Sequence, residues 1–142
     1  MSPLSAATGW VTALLVLSTV ALPSLARRRR DPGHDAPGAA RWLQRHYWIG
    51  YTIAGLSVVH AAVALGSPVP ARAGYETGVW IATGAMLIAF GQVALGRQLR
   101  QRAGRSRTRL HLIHVTTATV LVLAGGVHIW LDGAMLHALL GR

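Results

Sequence analysis

His46 and His60 stand fourteen residues apart, and His114 and His128 repeat that interval. Both pairs lie in apolar stretches that read as membrane helices. Imidazole is a common ligand for iron, zinc and copper. An ionisable side chain inside a membrane segment marks a functional site, because burying it unpaired in hydrocarbon is costly. The chain has no cysteine. That excludes disulfides, thiolate ligation of zinc or iron–sulfur clusters, and covalent haem attachment through C-x-x-C-H. Histidine is left as the main metal ligand.

The interval itself has a geometric meaning. A left-handed helix bundle repeats every 3.5 residues, so fourteen residues are four whole turns, and both members of a pair point the same way. At 1.5 Å per residue the members are about 21 Å apart along the axis. One further segment separates the two histidine-bearing segments, so these run parallel. His46 and His114 then share one level, and His60 and His128 another. Facing side chains of this kind build cofactor sites in bundle cores, and a haem iron with two trans axial positions fits each level. The expectation is two haem b groups with bis-histidine ligation, at levels close enough for electrons to pass between them. A single histidine on a helix is more often a satisfied polar residue than a ligand. Two level pairs on parallel helices are far harder to obtain by chance.

A flat macrocycle also needs room between helices, which small residues give. Gly84 and Gly91 lie one heptad apart on the third segment, Gly50 and Gly55 on the second, Gly125 and Gly126 on the fourth. Arg41, Arg45, Arg107 and Arg109 lie near His46 and His114, placed to pair with haem propionates. The plainer role for each arginine is a topology charge at the headgroups. His111 lies off the shared face and reads as interfacial, with a lesser prospect of ligation or proton or quinone contact. His34 and His137 read as solvated, and Asp132, Glu76 and Gln92 as polar contacts without a specific signal.

The elements that must position these residues are four apolar segments, each near the roughly 20 residues a bilayer core requires. They run over about 4–26, 42–65, 75–95 and 110–131, within one domain covering 1–142. Arg27 to Arg30 and Asp31-Pro32-Gly33 form a charged turn. Gly66, Pro68 and Pro70 end the second segment. Residues 96–109 read as a basic, glycine-containing loop. The first segment has no Lys or Arg before its apolar run and four Arg after it, so it reads as a retained helix. Ser24-Leu25-Ala26 would nonetheless serve as a processing site.

Only 13% of residues are charged, yet the net charge is +10. All fourteen basic residues are arginine, and twelve sit in two short blocks between apolar runs. That is a topology signal, not a nucleic-acid footprint. It predicts both arginine blocks in the cytoplasm and both termini outside, in the plasma membrane. Trp42, Tyr47, Trp48, Trp80 and Trp130 fall near segment ends, as an aromatic belt does. The fold class expected is all-α, an integral membrane four-helix bundle with two haems between the second and fourth helices.

At Arg45-His46-Tyr47 through Val59-His60, and Arg109-Leu110-His111-Leu112-Ile113-His114 through Val127-His128, the chain resembles the diheme b-type membrane cytochromes. The nearest patterns are the ferric reductase-like transmembrane domain and the cytochrome b core, which place such pairs on two parallel helices with one helix between. The resemblance covers the second to fourth segments. It implies transmembrane electron transfer, as a membrane cytochrome or the relay subunit of a redox complex. Ferric reductases and NADPH oxidases usually carry six membrane helices and a flavin- and nicotinamide-binding domain, and neither is found here. Cytochrome b has more helices and quinone-site motifs that this chain lacks. Other small four-helix b-type cytochromes usually distribute their ligands over other helices. The cofactor and geometry therefore carry over better than the substrate. Partners implied are the lipid bilayer, a quinone, and a redox protein or further subunits. A stand-alone quinone-, ferric- or superoxide-linked oxidoreductase is the alternative. A haem-free metal or proton transporter, or a membrane scaffold, is the third class.

Overall fold

The computed structural model describes residues 3–28, 37–66 and 75–132, with side chains placed for residues 4–21, 44–66 and 76–131. Four helices account for nearly all of it: α1 (Pro3–Arg28), α2 (Pro37–Leu65), α3 (Tyr75–Gln101) and α4 (Gly104–Asp132). All four are long and apolar enough to cross a membrane. Large apolar side chains such as Leu14, Trp48, Trp80, Leu87, Leu112 and Trp130 face outward. A water-soluble bundle would turn such residues inward. Here the described core is small, consisting of Ile53, Ala54 and Ala89 with Ser5. The architecture is that of a multi-pass membrane protein with an apolar outer surface.

The helices pack as a ring. α3 and α4 form the closest pair, α1 lies on α2, α2 lies on α3, and α1 closes onto α4. α2 and α4 therefore occupy one diagonal. The start of α1 meets the end of α2, through Ser5 and His60. The start of α3 meets the end of α4, through Gly78 and His128. Neighbours are thus antiparallel, and α2 and α4 are parallel, as the sequence pattern requires.

Helix extents differ from the apolar runs in one instructive place. The stretch 96–109, expected as a loop, is helical except at Arg102 and Ala103. Arginine, glutamine and leucine are good helix formers, so the helices continue past the point where hydropathy falls. Arg102 N–H donates to the Gln98 carbonyl at 3.1 Å, closing α3. Gly104 turns the chain with φ +64°, a left-handed conformation that favours glycine. α2 likewise begins at Pro37, ahead of the expected start; proline is at home in a first turn because its missing N–H has no helical partner there. At its other end α2 stops as expected, with Gly66 N–H bonded to the Ala62 carbonyl at 3.1 Å.

Candidate functional site

α2 and α4 bring the four histidines together as two pairs. The rings of His46 and His114 have centroids 6.2 Å apart and planes at 80°. Those of His60 and His128 are also 6.2 Å apart, with planes at 73°. The first pair lies toward the arginine-rich end of the bundle and is called the near pair. The second is the far pair.

The shared distance separates two explanations. Two imidazoles hydrogen-bonded directly at about 2.9 Å would bring their centroids to roughly 5 Å. A metal between them, at about 2.0–2.1 Å from each nitrogen, sets the centroids roughly 6 Å apart. The observed 6.2 Å is too long for direct hydrogen bonding in either pair; it suits a metal between the rings and equally an ordinary edge-to-face ring contact. Among the described residues no group of three His, Cys, Asp or Glu could hold a metal ion. Two imidazoles alone under-coordinate a free ion. They suffice for a metal that brings four equatorial ligands of its own.

The far pair is held by α1 and α3, the two helices that carry neither of its histidines. His60 Nδ1 lies 3.1 Å from the Ser5 carbonyl and 3.2 Å from Thr8 Oγ1. A carbonyl oxygen only accepts, so Nδ1–H donates and Nε2 carries the lone pair. Thr8 in turn donates to the Leu4 carbonyl at 2.9 Å or the Ser5 carbonyl at 3.0 Å, which frees its oxygen to accept from His60. His128 Nδ1 donates to the Gly78 carbonyl at 3.2 Å. Such bonds fix the tautomer and the ring orientation, and they strengthen the imidazole as a ligand. Gly9 lets α1 come this close: a Cβ there would lie 2.9 Å from His60 Cε1.

The near pair is different. Nδ1 of His46 and Nδ1 of His114 are both buried without a hydrogen-bond partner. An unmet buried polar group costs about 1–3 kcal/mol, so these atoms fit a site that a bound group or water completes. Gln92 braces this level from α3. Its Nε2 donates to the His114 carbonyl at 3.0 Å and also to Thr117 Oγ1.

The remaining sequence candidates fall as follows. Arg45, Arg107, Arg109 and His111 are exposed at the near end, while Glu76 is exposed at the far end. Gly84 is half-buried and Gly91 exposed, and a Cβ at either would meet no heavy atom within 4 Å. The same holds for Gly50, Gly55, Gly125 and Gly126, so open space lines three of the helices. Trp48, Trp80 and Trp130 are exposed and Tyr47 is half-buried. His34 and His137 lie outside the described residues, as do the side chains of Arg41, Trp42 and Asp132. Ser5, Thr8 and Gly9 were not signalled by sequence, and Gly78 only as a small residue of the third segment, not as an acceptor. Backbone acceptors exist at every residue, and only the helix neighbours select these.

No protein-family model matches the chain, and neither the curated proteins nor the solved structures contain a match.

Proposed function

We propose that the chain is a membrane cytochrome that carries electrons between the two membrane faces through two bis-histidine b-type haems. The observation that carries this reading is the facing of two histidine pairs with ring centroids 6.2 Å apart, one at each level of the α2–α4 diagonal. His46 and His114 would hold one haem, His60 and His128 the other. Haem iron supplies one-electron redox chemistry when bound. The residues do the rest. Two imidazoles from each level would ligate one haem iron, His46 with His114 and His60 with His128, which would favour electron transfer over oxygen binding. Ser5, Thr8 and Gly78 fix the far rings, Gln92 braces the near level, and the apolar exterior keeps water from both. Arg45 and Arg109 stand at the near end, where propionate carboxylates would meet them. By the positive-inside rule the arginine blocks favour a cytoplasmic near end. The electron donor and acceptor are a quinone, a redox protein or partner subunits.

The test is a haem count on the purified chain expressed with ample haem. Two low-spin b-type haems per chain are expected by pyridine haemochrome assay. Protein that folds without haem removes this reading and favours a metal or proton path lined by the histidines. His60→Ala and His128→Ala should each lose one and the same haem and keep the other. If His114→Ala keeps both haems while His111→Ala loses one, the near ligand is misassigned. Reduction or oxidation of quinone by the isolated chain separates the stand-alone enzyme from the relay subunit.

A further inference from the structure

Two clefts lie one above the other on the seam between α2 and α3, at the arginine-rich end. The first, about 340 Å³, is lined by Gln44, Tyr47, Trp48 and Arg100. The second, about 460 Å³ and deeper in the bundle, includes Tyr51, Ala54, Gly55, Phe90, Val93 and Arg97. The Tyr47 and Tyr51 hydroxyls are hydrogen-bonded at 2.6 Å and join the two. The Arg100 guanidinium sits 5.2 Å from the centre of the Tyr47 ring, a cation–π contact that holds it over the cleft. A Cβ on Gly55 would meet nothing within 4 Å, so the lower cleft opens beside the backbone.

Chemistry changes along this seam. Its upper part offers two guanidinium groups, two phenols and an indole at the depth where tryptophan and tyrosine meet headgroups. Its lower part, from Ala54 and Gly55 to Phe90 and Val93, is hydrocarbon. The roughly seven residues from Trp48 to Gly55 span about 10 Å, the reach of the upper portion of an acyl chain. No Asp or Glu lies among the described residues of this end; Asp31 and Asp35 fall outside them, and Glu76 and Asp132 belong to the opposite end. The arginines here therefore lack a carboxylate partner within the described structure.

We propose that this seam is a specific site for an anionic phospholipid. Arg97 and Arg100 hold the phosphate with the tyrosine hydroxyls, and one acyl chain lies along Ala54, Gly55, Phe90 and Val93. Basic pockets between membrane helices on the cytoplasmic side bind anionic headgroups in this way. A neutral quinone head would leave both guanidinium groups unmatched. The site stands whether or not the histidine pairs hold haem.

The experiment is retention of lipid by the full chain, extracted from nanodiscs of equimolar phosphatidylglycerol and phosphatidylcholine and weighed intact by native mass spectrometry. Phosphatidylglycerol should be retained preferentially, one molecule per chain. Arg97→Gln with Arg100→Gln should cut that preference about a hundredfold, at the usual worth of a hydrogen bond from each charged group to the phosphate. Arg105→Gln with Arg107→Gln removes equal charge from the same end and should leave the preference nearly unchanged. Gly55→Leu fills the lower cleft with no change of charge and should also release the lipid. Equal losses in the two arginine pairs would mean a diffuse surface effect and overturn the proposal. So would retention unaffected by Gly55→Leu, displacement by inorganic phosphate alone, or a quinone in the seam that survives the Arg97 and Arg100 changes.

Discussion

The angle between two facing imidazole planes is something a spectrum can read. If each pair holds a haem as proposed, planes at 80° and 73° predict a strongly anisotropic low-spin ferric signal from each. A rhombic signal typical of parallel planes would contradict the ring geometry. Nδ1 bonding sets a second difference. Both far rings donate to backbone carbonyls, while neither near ring has an Nδ1 partner. Stronger imidazole donation favours ferric iron, so the far haem should titrate at lower potential than the near one. Thr8→Val removes one of the two acceptors of His60 Nδ1–H and should raise the far potential alone, with two haems still bound. A potential order opposite to this, unmoved by Thr8→Val, would show that other charges dominate. Gly9→Ala is harsher, because its Cβ would press on His60 Cε1 from 2.9 Å. It should cost the far haem and spare the near one, read as a haem count falling from two to one. The spacing of fourteen made the histidine pairs legible, since heptad geometry depends on chain position alone. Ring angles and Nδ1 acceptors were not legible, because they depend on which helix lies alongside.

At the scale of the element, α3 and α4 behave as a hairpin fastened at two points. One is the sharp turn at Gly104, the other the Gln92 bridge to the His114 carbonyl and Thr117. Gln92→Leu keeps the volume and removes the bridge. It should lower stability by about 1 kcal/mol, as interhelical hydrogen bonds in membranes typically measure, seen as a lower midpoint in detergent-driven unfolding. Gly104→Ala should cost about 1 kcal/mol for its left-handed φ and leave haem content intact. The four helices were evident from apolar run length, and their ends were not. Hydropathy falls near Gly96, but Arg97, Gln98, Leu99 and Arg100 are content in a helix, so α3 ignores the change. Gln92 carried no pattern to mark it, since a lone amide in a membrane helix gains meaning only from the carbonyl it meets.

For the whole molecule, the arginine distribution predicts that the near end faces the cytoplasm. The absence of cysteine from the sequence makes the assignment directly testable. Ser106→Cys, in the exposed start of α4, should react with an impermeant maleimide only from the cytoplasmic side. Glu76→Cys, at the opposite end, should react from outside. The reverse labelling would invert the topology and exchange the inner and outer roles of the two pairs. The ring order of the helices also bears on how the molecule comes into being. His60 is steadied by α1, and His128 by α3. The far site therefore draws on all four described helices, two for the rings and two for their carbonyl partners. It forms only when all four stand in register, so its integrity reports that every helix has found its neighbours.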